Sequence, residues 1–113
     1  MIQLLRSSNR MGSHNNCFRS YSSETRSHIS RKFQVWLELL KAGCTIYTEA
    51  IFINGCRADI FAIMPDGRVK VIEILETETD EEFLDKIRKY PKEIDTIIKV
   101  REVDDNTIKD ILC

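Results

Sequence analysis

Two tight-turn signals divide one apolar stretch in the middle of the chain into three strands. Asn54-Gly55 is the strongest short signal for a β-hairpin, because both central residues of that turn need positive φ. In the second signal, Pro65-Asp66-Gly67, the glycine can supply the left-handed residue that closes a three-residue loop. The stretch therefore predicts three consecutive antiparallel strands, at residues 45–53, 56–64 and 68–76.

The second predicted hairpin sets two carboxylates opposite each other. If Met64 pairs with Arg68 across the loop, antiparallel registry puts Asp59 opposite Glu73, with β-carbons about 5 Å apart. Two carboxylates at that distance repel each other unless a cation, a proton or a basic side chain lies between them. The pair is therefore the candidate functional site. In the alternative interpretation, Arg57 and nearby lysines neutralise both acids in an inactive core.

Two further residues are candidates for the same site. Glu49 is a third acid, but an ideal two-residue turn would pair Ile53 with Cys56 and put Glu49 on the opposite face from Asp59. A bulge or a longer loop would bring it round. Arg57 shares the Asp59 face, and two interpretations of it are equally supported: a cation that serves the site, or a simple ion pair.

Helical periodicity surrounds the three strands. Residues 23–42 predict a first helix that Gly43 ends, and residues 81–90 predict a second helix that Pro91 ends. A short strand at residues 95–100 and a last helix capped by Asp104 or Asp105 follow. The predicted buried stripe of the first helix consists of Ile29, Phe33, Trp36, Leu37 and Leu40. His28, beside that stripe, and the basic side chains of residues 86–92 are interpreted as surface residues. The order α-β-β-β-α-β-α predicts an α/β fold with a mixed central sheet flanked by helices.

Length and composition predict one small domain. The chain has 113 residues and a formal net charge of −1. Residues 1–22, rich in Ser, Arg and Asn without periodicity, are predicted to be a flexible tail, and residues 23–113 are predicted to form the folded domain. Residues 1–23 carry three arginines and no acid, so the remainder is net acidic, unlike a simple basic nucleic-acid clamp. No apolar run approaches the roughly 20 residues that a membrane span needs, so no membrane partner is expected.

The cysteine pattern bears on metal binding and on the compartment. The chain has four cysteines, at positions 17, 44, 56 and 113, and none forms a Cys-x-x-Cys pair. No histidine lies at zinc-ligand spacing from them. The pattern therefore predicts free thiols in a reducing intracellular compartment, first of all the cytoplasm.

The order of elements and the placing of the acids resemble the PD-(D/E)xK, or restriction-endonuclease-like, nuclease superfamily over roughly residues 24–113. Residues 57–60, RADI, stand where that superfamily has its strand aspartate. Residues 71–75, VIEIL, stand where it has Glu-x-Lys, and the spacing between Asp59 and Glu73 is typical of it. Thr48-Glu49 resembles an upstream glutamate found in several archaeal and viral branches.

The resemblance implies an αβββαβ core and a nuclease that hydrolyses DNA phosphodiesters with Mg²⁺ or Mn²⁺. It implies that Asp59 and Glu73 bind the metal together with the backbone carbonyl of Ile74, and that Glu49 is an auxiliary ligand or base. The sequence departs from the family at Leu75, which occupies the lysine position, so Arg57 is the candidate for the missing catalytic charge. The sequence thus leaves three alternative functions, in order of preference. The first is a metal-dependent nuclease that acts on DNA, the second is an inactive copy that binds nucleic acid or protein, and the third is an assembly module that forms a homodimer.

Overall fold

A computed structural model describes residue 5, residues 15–94 and residues 96–113. Within these residues the predicted order of helices and strands is confirmed, and the fold is α/β. The elements are α1 (Arg26–Lys41), β1 (Thr45–Ile51), β2 (Arg57–Ile63), β3 (Val69–Ile74), α2 (Asp80–Ile87), β4 (Thr96–Val100) and α3 (Asp105–Leu112). The strands form one mixed sheet in the order β1-β2-β3-β4, in which only the β3–β4 pair is parallel. Helix α2 makes the crossover that a parallel pair requires.

The predicted registry of the β2–β3 hairpin is confirmed. The Met64 N–H donates to the Arg68 carbonyl at 2.8 Å across the loop, and Gly67 has φ +92°. Further along the ladder Ile60 pairs with Ile72. The same registry, extended by one residue, sets Asp59 opposite Glu73.

The predicted two-residue turn between β1 and β2 is wrong by one residue. The Phe52 N–H donates to the Cys56 carbonyl, which makes residues 53–55 a three-residue loop with Gly55 at φ +93°. The Asn54 side chain stabilises this loop: its amide oxygen accepts from the Cys56 N–H, and its amide nitrogen donates to the Lys89 carbonyl. As a result, the loop is longer than predicted and every residue of β1 shifts by one against β2.

This shift brings Glu49 opposite Asp59. The ladder pairs Thr48 with Ile60 and Ala50 with Ala58, and it is interrupted at Glu49 itself, which has φ +52°. A non-glycine residue with positive φ is strained, and such residues concentrate at functional sites. The sequence had allowed for this arrangement only through a bulge or a longer loop.

Two apolar clusters cover the two faces of the sheet. One contains Val35 and Leu39 of α1 and Ile111 of α3, and the other contains Phe61, with Tyr90 from the segment after α2. Helices α1 and α3 therefore cover one face, and Ile87 of α2 packs against the cluster on the other, so the sheet is flanked by helices as predicted.

The predicted buried stripe of α1 is wrong in part: Trp36 and Leu40 are partly buried and pack against the core, but they do not form its centre. The buried residues are Lys32, Val35 and Leu39, whereas Phe33 is 43% exposed and packs against Phe18 and Trp36. The helix is thus rotated so that a lysine points inward, which is tolerable only because acidic side chains receive it.

The predicted tail, residues 1–22, falls mostly outside the described residues. Leu5 is buried and bridges to Phe52. The Asn16 N–H donates to the Ile46 carbonyl at 2.7 Å, and the Arg19 N–H donates to the Thr48 hydroxyl at 2.7 Å. Contacts with β1 therefore begin before residue 23, where the folded domain was predicted to start.

None of the four cysteines, all of which the structure describes, forms a disulfide bond, as predicted. In the part of the chain that the structure describes, no helix is both long enough and apolar enough to span a bilayer.

Candidate carboxylate site

Three of the predicted site residues lie together in one small pocket. Asp59, Glu73 and Ile74 line a cavity of about 80 Å³, which His28 of α1 and Lys86 of α2 complete on two sides. The opposed carboxylates predicted from the hairpin registry therefore share one cavity.

Asp59 is held in place by a backbone group and a histidine. Its Oδ2 accepts a 2.8 Å hydrogen bond from the Ile74 N–H and lies 3.4 Å from His28 Nε2. Burial alone would raise the pKa of this carboxyl, but these two hydrogen bonds and the positive charges of His28 and Lys86 lower it below its ordinary value. Asp59 is therefore ionised at neutral pH.

Glu73 is almost completely buried, with a side chain 1% exposed. Its Oε1 hydrogen-bonds to the Tyr90 hydroxyl, and its Oε2 accepts from Lys86 Nζ at 2.9 Å. Burial and the adjacent charge of Asp59 outweigh the lysine and raise the pKa of Glu73 to about 8. At neutral pH, Glu73 therefore holds a proton, even though the Lys86 ammonium group lies beside it.

His28 bridges two acids. Its Nδ1 lies 2.7 Å from Glu24 Oε2, and its Nε2 faces Asp59. The hydrogen bond to Asp59, which outweighs burial and is reinforced by Glu24, raises the pKa of His28 to about 9. The ring is therefore a cation at neutral pH, with both nitrogens donating.

A second group of charges continues from His28 into the interior. Lys32 is fully buried, and its Nζ lies 2.9 Å from Glu24 Oε1 and 2.8 Å from Glu49 Oε1. Burial opposes ionisation of Glu24, yet hydrogen bonds from Lys32, a backbone N–H and His28 lower its pKa to about 2. Burial raises the pKa of Glu49, although Lys32 partly offsets it. Glu49 is thus paired with a lysine and is not among the residues that line the pocket.

Arg57, the predicted replacement for the missing lysine, points elsewhere. Its guanidinium carbon lies 4.9 Å from the centroid of the Tyr21 ring, and the side chain is exposed. Leu75, which occupies the position where the resembled superfamily has its lysine, is buried and lines the pocket. The ammonium group that contacts Glu73 belongs instead to Lys86, whose side chain is 46% exposed.

Sequence reasoning missed the basic partners of the site. Lys86 follows the buried Phe83 by three residues, which puts both on one face of α2. This spacing was the only sign in the sequence that Lys86 faces the sheet. Lys32 occupies the same face of α1 as the buried Val35, but a lysine in an apolar stripe does not reveal its partner. His28 was interpreted as a surface residue, because Asp59 is distant in sequence and only the folded sheet brings it near.

The charges of the site do not balance when all of them are ionised. The acids are Glu24, Glu49, Asp59 and Glu73, and the bases that contact them are His28, Lys32 and Lys86. These acids exceed the bases that contact them by one, which the proton on Glu73 offsets, and Glu78 and Glu82, which also line the pocket, add further negative charge. A cation in the pocket would do the same.

The donor groups suit a hard cation held by few protein ligands. Among the described residues, no set of three or more His, Cys, Asp or Glu side chains is arranged to bind a metal ion. Mg²⁺, however, usually takes one or two carboxylates, keeps several waters and completes its octahedron with phosphate oxygens. Asp59 and Glu73 fit that pattern once Lys86 turns away, and its half-exposed side chain leaves room for it to do so.

Comparison with known proteins adds no relative: no family model, no curated protein and no solved structure matches the chain. The function is therefore argued from the geometry and charge of the pocket.

Proposed function

We propose that the chain is a metal-dependent nuclease-like domain that hydrolyses DNA phosphodiesters at the Asp59–Glu73 pocket. The observation that carries the proposal is that two opposed, largely buried carboxylates line one cavity, where burial and their mutual repulsion raise the pKa of Glu73 to about 8. The order of elements and the parallel β3–β4 pair support a restriction-endonuclease-like core. The proposed cofactor is Mg²⁺ or Mn²⁺.

In this proposal Asp59 and Glu73 hold the metal ion, and the Ile74 carbonyl is the third ligand that the family resemblance implies. The ion, when bound, supplies an acidified water and charge stabilisation at the phosphate. Glu73 must lose its proton before it can serve as a ligand, so raising the pH through about 8 favours loading of the site.

The remaining side chains orient these ligands. The Ile74 N–H and the His28 imidazolium fix Asp59 from one side. The Tyr90 hydroxyl fixes Glu73 and also lies 3.1 Å from the Arg57 carbonyl oxygen, so it ties the ends of β2 and β3 together. Such supporting hydrogen bonds set the geometry of a metal site.

Lys86 is the proposed substitute for the family lysine. Its Nζ already lies 2.9 Å from Glu73, and its side chain reaches solvent. Once Glu73 binds a metal ion, the ammonium group is free to donate to an oxygen of the scissile phosphate. Positive charge of this kind stabilises the charge that develops on the phosphate in the transition state.

The direct test is nicking of supercoiled plasmid by the purified chain with Mn²⁺, with EDTA as the blank. Asp59→Asn and Glu73→Gln should each abolish nicking, because both remove a ligand charge while keeping the shape of the side chain. Asp66→Asn is the matched control, since Asp66 is exposed in the β2–β3 loop. Nicking that survives in Asp59→Asn would exclude this pocket from the reaction.

A second candidate function is favoured by one observation. Both oxygens of Glu73 already have partners, Tyr90 and Lys86, and the lysine position of the family is the apolar Leu75. This arrangement suits an inactive nuclease fold that binds nucleic acid or protein. The melting temperature separates the two functions, because a metal ion that binds only the folded state raises it, whereas an inactive site leaves it unchanged.

A further inference from the structure

An aromatic ring and a guanidinium group are stacked on the surface beside the pocket. Arg57 lies over the Tyr21 ring at 4.9 Å, Tyr21 is 38% exposed and Arg57 is also exposed. A planar guanidinium stacks on aromatic faces, and this pair leaves flat surface in contact with solvent. Such a surface is suited to a further planar group from a ligand.

Tyr21 is fixed to the charged cluster through its backbone. Its N–H donates to Glu24 Oε1 at 2.8 Å, and its carbonyl accepts from the Glu24 N–H at 3.1 Å. Glu24 is in turn held by His28 and Lys32. The ring is therefore positioned by the same residues that support the carboxylates.

Arg57 is fixed from the other side. Its carbonyl oxygen lies 3.1 Å from the Tyr90 hydroxyl, which also hydrogen-bonds to Glu73. Both residues are thus anchored through their backbones, which keeps their side chains beside each other, and such preorganisation favours affinity.

The distance from the pocket suits a neighbouring nucleotide. Arg57 precedes Asp59 by two residues on β2, which places their Cα atoms about 7 Å apart. A phosphodiester at Asp59 and Glu73 would leave its adjacent base within reach of Tyr21. The half-exposed Lys86 lies at the pocket and can contact the phosphate backbone of the same DNA strand.

We propose that Tyr21 and Arg57 form a base-stacking subsite, which makes single-stranded DNA the substrate class of this pocket. The inference rests on the proposed function. Aromatic side chains bind single strands of any sequence, because every base has a π-face. In a duplex the bases stack on one another and are not available to Tyr21, so paired DNA gains nothing from this surface.

Binding is measured by fluorescence anisotropy of the full chain with a fluorescein-labelled oligothymidine. EDTA prevents cleavage, and salt at about 50 mM keeps the phosphate contacts strong. Tyr21→Ala should weaken binding about tenfold, the range that removal of one stacking aromatic produces. Tyr21→Phe should bind as the wild type does, because the ring is retained.

Two further variants test whether binding depends on stacking, rather than on charge or on exposed apolar surface in general. Arg57→Lys keeps the charge but loses the planar group, so it should weaken binding by about fivefold. Phe33→Ala removes another exposed ring, which packs against Phe18 and Trp36, and should leave affinity unchanged. Because Arg57 is an exposed residue, its variant remains informative even if Tyr21→Ala lowers the melting temperature.

The inference is overturned if Tyr21→Ala and Arg57→Lys both bind oligothymidine as tightly as the wild type. It is also overturned if the wild type binds no single strand, or binds a matched duplex more tightly. Its failure is distinguishable from that of the proposed function. Tyr21-dependent binding without Mn²⁺-dependent cleavage refutes only the nuclease activity, whereas cleavage with Tyr21-independent binding refutes only the subsite.

Discussion

The substitution Glu73→Gln should make the protein more stable at alkaline pH. The pKa of Glu73 rises from an ordinary 4.5 to about 8 on folding, so the folded state holds a proton that the unfolded state has lost. The free energy of unfolding then falls as pH rises from 4.5 to 8. At about 1.4 kcal/mol per unit, the full loss is about 5 kcal/mol, and about 3 kcal/mol of it has occurred by pH 7.

Glutamine carries no proton to lose, so this decline disappears in the variant. Its amide oxygen still accepts from Tyr90, and the half-exposed Lys86 can turn to solvent. Urea unfolding in EDTA at pH 5, 6, 7 and 8 measures the difference. We expect near-equal stabilities at pH 5 and an increasing advantage for the variant above it.

The matched control is Glu81→Gln, which neutralises an exposed carboxylate in the first turn of α2. Its difference from the wild type should stay within a few tenths of a kcal/mol and be nearly independent of pH. A constant difference between Glu73→Gln and the wild type from pH 5 to pH 8 would refute the reasoning, since it would mean that Glu73 ionises as an ordinary carboxyl.

Three further predictions concern the residues around the site. Lys32→Met should destabilise the fold by about 3–5 kcal/mol in urea unfolding, because it leaves Glu49 buried without its partner; adding Glu49→Gln should recover part of that loss, and no recovery would argue against the pair. His28→Gln should be less stable than the wild type at pH 6, with a deficit that shrinks as pH rises through 9. Folding raises the pKa of His28 from 6.5 to about 9, so the protonated ring stabilises the fold fully below pH 6.5 and ceases to do so as pH rises through 9. A deficit independent of pH would contradict this prediction. Thr79→Ala removes the capping box of α2 and should lower the free energy of unfolding by about 1 kcal/mol, and an unchanged value would show that the cap contributes nothing.

The part of the site that could be predicted follows from local turn chemistry. Pro65-Asp66-Gly67 has one favourable loop geometry, and that geometry alone determines which residues of β2 and β3 face each other. The opposition of Asp59 and Glu73 is a direct consequence.

The parts that were wrong depend on contacts between distant segments. The three-residue loop between β1 and β2 is stabilised by a hydrogen bond from the Asn54 side chain to the Lys89 carbonyl, which lies just after α2. The face of α1 is set by Lys32, whose burial requires Glu24 and Glu49 from two other segments. No periodicity within α1 encodes those partners.

The basic side chain that contacts Glu73 also comes from a distant segment. Because it shares the Asp59 face, Arg57 was the sequence candidate for the charge that the lysine of the resembled superfamily supplies, with a simple ion pair as the equally supported alternative. The structure instead brings Lys86 from α2 to Glu73, because the crossover from β3 to β4 packs that helix against the ends of the strands. The sequence of β3 therefore does not reveal which lysine pairs with Glu73.

The most direct measurement is an anomalous difference map from crystals soaked in Mn²⁺ at pH 8 or above. A peak between the Asp59 and Glu73 carboxylates, with the Lys86 ammonium displaced from Glu73, is the predicted result. A map with no peak there, in which Lys86 and Tyr90 still hold both oxygens of Glu73, would contradict the proposal that these acids bind a metal ion.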